Sequence, residues 1–284
     1  MVNLLDKIRH FIEKSFLLFC VSNCLSISYV EAKPIIVVTT SDIASIVQEI
    51  ATDSVKLHCL IPPQSCPGHF DLTVKEAQLL QQATLIIGHR FEEKTILEKL
   101  RSLTGKDKAL TTVIALDVEG SWMVPEVYLK ATEKISQVLS AYWPEKADFF
   151  KNNSKRYISL IKHRSLQLLN KLRKNYPQES KVIVNNMQKD LLAWLGFKIV
   201  ASYGRPEEIT PKTLMQLIDL AKKEKVKIVV DNLQSSANSV NPISSSVGIP
   251  RVVLSNFPKE VNGKFSYLGT LEENIQSLIE AIQK

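Results

Sequence analysis

Glycine is the residue type that this sequence most clearly lacks. Only 9 of 284 residues are glycine, less than half of the roughly 7% that is usual. No G-x-G-x-x-G, P-loop or G-x-S-x-G motif occurs, which excludes the common Gly-rich phosphate loops and the nucleophile turn of α/β-hydrolases. An enzyme built around repeated Gly-rich phosphate loops is therefore not expected, and we predict that the protein is not an enzyme because no nucleophile signature occurs either. The enzymatic alternative, with Cys66, His69 and Asp231 as nucleophile, base and orienter, has no supporting sequence signature.

The charge of the chain is moderately basic but not segregated. There are 36 basic and 29 acidic side chains, which gives a formal net charge of +7. Lysine and glutamate are interspersed, as at 222–225, and this pattern is typical of a solvated surface rather than a nucleic-acid-binding stripe. A hydrophobic content of 45% indicates a globular chain. We predict no nucleic-acid partner.

The N-terminal segment has the layout of a secretory signal peptide. Three basic residues precede a short apolar run, and the segment ends in the small residues Val30 and Ala32. We therefore predict that residues 1–32 are removed on export and that the mature chain is periplasmic. One alternative is an uncleaved membrane anchor, but the apolar run is shorter than the roughly 20 residues of a membrane span. The other is a lipid on Cys20 or Cys24, which is not expected because the residues before these cysteines are not small.

The rest of the chain alternates short apolar runs with amphipathic stretches. The β-branched runs lie at 35–38, 55–60, 85–87, 113–116, 182–184, 198–200, 226–230 and 251–254. Such runs are typical of buried parallel strands. Between the two sets, residues 144–176 lack glycine and repeat apolar residues at helical spacing. We predict the α/β class: two doubly wound parallel-sheet lobes joined by one long connecting helix, with boundaries at 33–143, 144–177 and 178–284.

Several local motifs occur in an order that resembles a known family. They are the strand end and helix start 39–44, the proline-rich loop 61–70, the loop with Gly88, Phe91 and Glu92, and the Trp-x-x-Pro segment 122–125. Together they resemble the metal-receptor (zinc/manganese/iron) branch of ABC-transporter solute-binding proteins, solute-binding protein family 9, in a divergent member. The resemblance implies an extracytoplasmic, monomeric receptor that captures a metal ion between its lobes. It also implies two partners, an inner-membrane ABC permease and its cytoplasmic ATPase.

The metal ligands that this resemblance implies are mostly substituted. His69 stands in the proline-rich loop, but Gly120, Asn185 and the pair Ser255 and Asn256 occupy the other ligand positions. These substitutions favour an alternative function, an extracytoplasmic interaction or chaperone protein that has kept the scaffold and lost metal binding. The retained loop around His69 favours the receptor.

Doubly wound sheets bind ligands beyond the carboxyl ends of their strands. We therefore take the candidate ligands from the loops that follow the predicted strands. His69 is the first candidate, and the others are Cys66, Glu119, Met123, Asn185, Met187, Asp231 and Asn256. The resemblance implies a cargo of divalent zinc, manganese or iron. Thioether and thiol groups leave copper(I) as an alternative.

Two further predictions concern cysteine and histidine. In an exported chain, Cys59 and Cys66 are close enough in sequence to form a disulfide, which would remove Cys66 as a copper ligand. His89 and His163 follow or precede basic residues and are predicted to lie on the surface.

Overall fold

The computed structural model describes residues 32–104, 111–176, 179–235 and 240–283. The predicted signal peptide and the cysteines at 20 and 24 lie outside these residues, apart from Ala32. Within the described part of the chain, no helix is both long enough and apolar enough to cross a membrane.

The first lobe is a four-stranded parallel sheet with helices on its faces. Its strands are β1 (Ile35–Val38), β2 (Lys56–Cys59), β3 (Leu85–His89) and β4 (Thr112–Leu116). Its helices are α1 (Ser41–Ala51), α2 (Val74–Leu80), α3 (Glu98–Leu103) and α4 (Pro125–Tyr142). The strand order is β2-β1-β3-β4, and every neighbouring pair is parallel. The doubly wound topology predicted for this lobe is confirmed.

The second lobe repeats this arrangement. Its strands are β5 (Lys181–Asn185), β6 (Lys198–Tyr203), β7 (Ile228–Asn232) and β8 (Arg251–Leu254). Its helices are α6 (Lys189–Trp194), α7 (Pro211–Glu224), α8 (Asn241–Val247) and α9 (Tyr267–Ile282), numbered after the connecting helix α5 (Ala147–Asn175). The strand order is β6-β5-β7-β8, again all parallel.

The helix α5 is the predicted connector. It follows a 3₁₀ turn at Pro144–Lys146 and runs for 29 residues, or about 43 Å at 1.5 Å per residue. Its buried residues recur at helical spacing and include Phe150, Tyr157, Ile161 and Leu168. Two parallel-sheet lobes and one long connecting helix are therefore confirmed, while the division of the chain at residues 143 and 178 stays a prediction.

A short antiparallel hairpin was not predicted. It pairs β9 (Lys259–Val261) with β10 (Lys264–Ser266) around Asn262 and Gly263, which both have positive φ angles of 53° and 74°. An Asn-Gly pair between two strands is the usual sequence of a two-residue hairpin turn. The backbone N–H of Phe265 donates to Gln48 Oε1 at 3.2 Å, so the hairpin joins the second lobe to α1 of the first.

The two lobes share one hydrophobic core. Tyr128 of α4 and Tyr267 of α9 are fully buried, and their rings stack at 3.7 Å between centroids with 8° between planes. The Tyr267 hydroxyl donates to the carbonyl of Met123 at 3.1 Å. Because aromatic residues of both lobes interlock in this way, the lobes are held with the carboxyl ends of both sheets around one cavity.

Candidate ligand-binding cavity between the lobes

A cavity of about 530 Å³ lies between the lobes. Loops from both sheets line it: 66–68, 89–96 and 120–122 from the first lobe, and 186–190 and 232–235 from the second, with a few single residues. Most of these loops follow the carboxyl ends of strands, which is where parallel α/β sheets bind ligands. The expected position of the binding cleft is therefore the position of the cavity.

A buried polar cluster forms the first-lobe wall. His89 is the last residue of β3, and Asp42 lies in the first turn of α1. The His89 Nε2 atom lies 3.2 Å from Asp42 Oδ1 and 2.9 Å from Thr40 Oγ1, while the Thr40 hydroxyl donates to Asp42 Oδ1. The backbone N–H of Ile43 donates to the same carboxylate oxygen at 2.8 Å. The carboxylate thus accepts from three groups, as a buried charge requires.

Charge pairing sets the protonation of this cluster. Burial alone would raise the pKa of Asp42, but the neighbouring His89 charge and the hydrogen bonds outweigh it and hold that pKa below its ordinary value. Burial alone would lower the pKa of His89, but the Asp42 carboxylate raises it above its ordinary value. Both shifts favour the charged forms, so the two groups form a buried ion pair.

Glu92 is a second buried acid in the same wall. Its Oε2 atom accepts from Thr39 Oγ1 at 2.6 Å and from the His89 backbone N–H at 2.8 Å, whereas its Oε1 atom has no partner among the described residues. Burial raises the pKa of Glu92, outweighing the opposing effect of His89. This favours the neutral carboxylic acid, since a half-satisfied buried carboxylate is costly.

Aromatic rings cover His89 on the cavity side. The Phe91 ring stacks on the imidazole at 4.8 Å, and Trp122 meets its edge at 4.4 Å. Trp122 is buried, but Phe91 is 69% exposed although it lines the cavity. The wall therefore offers apolar surface to a bound molecule as well as polar groups.

Side-chain amides form the second-lobe wall and touch the first lobe. Gln234 Nε2 donates to the carbonyl of Pro63 at 2.7 Å and to Ser255 Oγ at 3.1 Å, while Gln234 Oε1 accepts from the Asn256 backbone N–H at 3.0 Å. Asn186 and Asn256 also line the cavity. No other described residue hydrogen-bonds to their side-chain amides, which leaves them available to a ligand.

His69, the first ligand candidate, lies outside the cavity. It ends the 3₁₀ turn Pro67–His69, is exposed, and does not line the cavity. Gly68 lines the cavity instead, beside Cys66. The 3₁₀ turn points neighbouring side chains in different directions, so the position that faces the cavity carries no side chain. A ligand role for His69 would require this turn to rearrange.

The remaining candidates divide into two groups. Cys66, Met187 and Asn256 line the cavity. Glu119 is exposed and lies outside it, against a different surface depression.

Met123, Asn185 and Asp231 are buried and serve the fold. Met123 is part of the core. Asn185 accepts from the Met187 N–H at 3.0 Å and donates to the Gly204 carbonyl at 3.3 Å. Asp231 forms an ion pair with Arg251, at 2.8 Å from Nη2 and 3.2 Å from Nε. None of these three lines the cavity.

Two other predictions need correction. Cys59 and Cys66 are free thiols, so the predicted disulfide is wrong in this structure; Cys59 Sγ instead lies 3.4 Å from the Ile61 carbonyl. His89 is 3% exposed, whereas the sequence analysis placed it on the surface because Arg90 follows it. Its position at the end of a buried strand was the overlooked signal.

Metal-binding groups are not gathered into one site. Among residues 32–104, 111–176, 179–235 and 240–283, no cluster of three or more His, Cys, Asp or Glu side chains is arranged to hold a metal ion. The cavity does contain Asp42, His89, Glu92 and Arg205, which the sequence analysis did not propose as site residues. Arg205 follows β6, and no distinctive motif marks it in the sequence.

Two α/β lobes, a long connecting helix and a cavity between the lobes together define a two-lobe solute-binding protein. The chain belongs to the family described as "ZnuA: Zinc-uptake complex component A periplasmic", whose sequence model matches residues 36–281. The predicted resemblance is therefore confirmed, and with it the function class: a substrate-binding component of the metal ABC transporters.

Individual relatives are distant but match along most of the chain. A manganese ABC transporter substrate-binding lipoprotein, PsaA of Streptococcus mitis, is 21% identical over 276 residues, covering 88% of this chain and 89% of the relative. The zinc-binding lipoprotein AdcA of Streptococcus pneumoniae serotype 4 is 23% identical over 290 residues, covering 90% of this chain and 57% of the relative. These relatives are named as lipoproteins, so they give no support to the prediction that a lipid anchor is absent.

Solved structures confirm the fold. A periplasmic metal binding protein from Candidatus Liberibacter asiaticus superposes with a TM-score of 0.72 at 19% identity, covering 88% of this chain and all of the other. A structure described as ZnuA superposes with a TM-score of 0.74, also at 19% identity and with the same coverage.

Proposed function

We propose that this protein captures a divalent transition metal in the inter-lobe cavity, outside the cytoplasm, and delivers it to an inner-membrane ABC permease driven by a cytoplasmic ATPase. It acts as a monomer, carries out no chemistry on its cargo and binds no nucleic acid. The observation that carries the proposal is the cavity itself, lined by loops of both lobes at the carboxyl ends of their sheets. Relatives named as manganese and zinc binders support the class of cargo.

The metal is zinc, manganese or iron rather than copper(I). Copper(I) prefers sulfur ligands, and the sequence offered Cys66, Met123 and Met187. Met123 is buried in the core and only the other two line the cavity, so the sulfur set is incomplete. Oxygen and nitrogen groups are the more numerous polar groups along its walls.

A second candidate function is an extracytoplasmic interaction or chaperone protein that has lost metal binding. The observation in its favour is that the described residues contain no ready cluster of three metal-binding side chains. The absence of permease and ATPase genes next to the gene for this protein would also favour this second function.

The deciding experiment is native mass spectrometry with elemental analysis of the mature protein purified from its own compartment. We expect a stoichiometric amount of manganese, zinc or iron, reduced by Cys66→Ser and unchanged by Glu119→Gln, which alters an acid outside the cavity. Protein that carries no metal, and takes up none on dialysis against each ion, would favour the second candidate.

A further inference from the structure

The cavity is larger than the coordination shell of a single ion requires. Zinc, manganese and similar ions are held by ligands at roughly 2.0 to 2.6 Å, which needs a site only a few ångströms across. A volume of about 530 Å³ instead falls within the roughly 300 to 1,000 Å³ of pockets for small organic molecules. The volume is therefore large enough to hold a small organic molecule together with the ion.

The guanidinium group of Arg205 lines the cavity beside Cys66 and Gly68. A Cβ atom placed on Gly68 would lie 3.8 Å from Arg205 Nη2 and 3.8 Å from Cys66 Sγ. Residue 68 therefore lies between these two groups, and Arg205 lines that part of the cavity. Its guanidinium forms no ion pair with any carboxylate of the described residues. A fixed positive charge repels a bare divalent cation, whereas the planar guanidinium binds a carboxylate through two parallel hydrogen bonds.

The charges of the walls nearly cancel. Among the described residues lining the cavity, Asp42 is paired with His89 at 3.2 Å, and burial favours the neutral form of Glu92. Apart from Glu92, whose pKa is raised by burial, one negative charge on Asp190 and one positive charge on Arg205 remain. Such a cavity stabilises a ligand of low net charge, because a bare divalent ion needs anionic ligands to replace its hydration.

The residues that line the cavity do not supply the anionic ligands that a bare divalent ion needs. We therefore infer that the cargo is a divalent metal carried as a complex with a small polycarboxylate. The inference rests on the proposed function and names the form of its cargo. A carboxylate of the carrier pairs with Arg205, and the amides of Asn186 and Asn256 donate to its other oxygens. Phe91 and Trp122 cover its hydrocarbon part. Cys66, beside Arg205, is the thiol available to the metal.

The test compares three probes on the full mature chain, stripped of metal by EDTA and dialysis. Isothermal titration calorimetry is run with Mn²⁺ alone, with citrate alone, and with Mn²⁺ in excess citrate. We expect manganese citrate to bind at least tenfold more tightly than either component. Arg205→Gln should reduce that affinity at least tenfold, whereas Arg164→Gln, on α5 and outside the cavity, should leave it unchanged.

The outcomes separate this inference from the proposed function. Mn²⁺ alone binding as tightly as manganese citrate, with no effect of Arg205→Gln, would overturn the inference and leave a metal receptor. Citrate binding equally well without metal would also overturn it, since the metal would not be required. No binding of manganese in either form would overturn the inference, whereas the proposed function falls only if the elemental analysis and dialysis also show no uptake of zinc or iron. The relative affinities of the unmodified protein for the three probes give this answer even if Arg205→Gln fails to fold.

Discussion

The ion pair between Asp42 and His89 can be tested by removing one of its charges. Both side chains are about as buried as core residues, with 5% and 4% of their surfaces exposed. Asp42→Asn keeps the size and one acceptor oxygen but removes the negative charge. His89 would then be buried as a cation without its partner, or would have to lose its proton.

The expected loss of stability follows from this burial. Breaking a buried ion pair by removing one partner costs about 3 to 5 kcal/mol. Because His89 can escape part of this cost by becoming neutral, we expect the lower end, about 3 kcal/mol. At about 2 to 4 °C per kcal/mol for a chain of this size, the melting temperature should fall by roughly 6 to 12 °C.

The effect should depend on pH in a defined direction. The pKa of His89 is raised, so its contribution is lost as the pH rises through the folded-state value; the pKa of Asp42 is lowered, so its contribution is lost as the pH falls through the folded-state value. Glu92 also faces His89 and is present in both proteins. The stability difference should therefore be largest from mildly acidic to neutral pH and shrink at both extremes.

Urea unfolding followed by circular dichroism over a series of pH values measures this difference. Asp190→Asn is the matched control, because Asp190 lines the same cavity but is exposed and has no ion pair among the described residues. It should change stability little. If Asp42→Asn lowered the free energy of unfolding no more than this control does, or if its effect did not vary with pH, the assignment of a buried ion pair would be contradicted.

Two further predictions concern packing and the thiols. Gly88→Ala should lower the free energy of unfolding by about 1 to 3 kcal/mol, because the added Cβ would lie 2.6 Å from Leu97 Cδ2. Gly68→Ala is the control and should leave stability unchanged, since its nearest contacts would be at 3.8 Å. Equal melting temperatures for the two variants would contradict this prediction. Burial raises the pKa of Cys59 to about 12, so a thiol reagent should label Cys66 first in the folded protein and both thiols after unfolding without reductant. If neither cysteine reacted in the unfolded, unreduced chain, the result would support a disulfide between Cys59 and Cys66.

The sheets were predictable because parallel strands covered on both faces must be almost entirely apolar. Each β-branched run became a strand, and β3 and β7 are buried along their whole length. The hairpin was missed because its strands have only three residues each and half-exposed side chains. Its one local signal, Asn262 followed by Gly263, is informative only when the flanking residues are recognised as strands.

The position of the cavity was predictable to the loop but not to the residue, and metal binding by the candidate residues stays a prediction. Proximity to a strand end placed Cys66, Met187 and Asn256 at the cavity correctly, because the carboxyl ends of parallel strands meet at one edge. Which residue of a turn faces inward depends on its backbone conformation, and the difference between Gly68 and His69 is one position. Arg205 reaches the cavity from a loop of the other lobe, a tertiary relation with no local sequence pattern.

The residues that hold the lobes together are not the residues that line the cavity. Tyr128, Tyr267 and the buried face of α5 belong to the shared core, whereas Gly68 and Arg205 lie in loops after strands and contribute nothing to that core. Substitution in these loops therefore leaves the fold intact while changing what the cavity accepts. The core and the topology carry the family's fold, whereas the proposed form of the cargo rests on loop residues, above all the Arg205 guanidinium that lines the cavity.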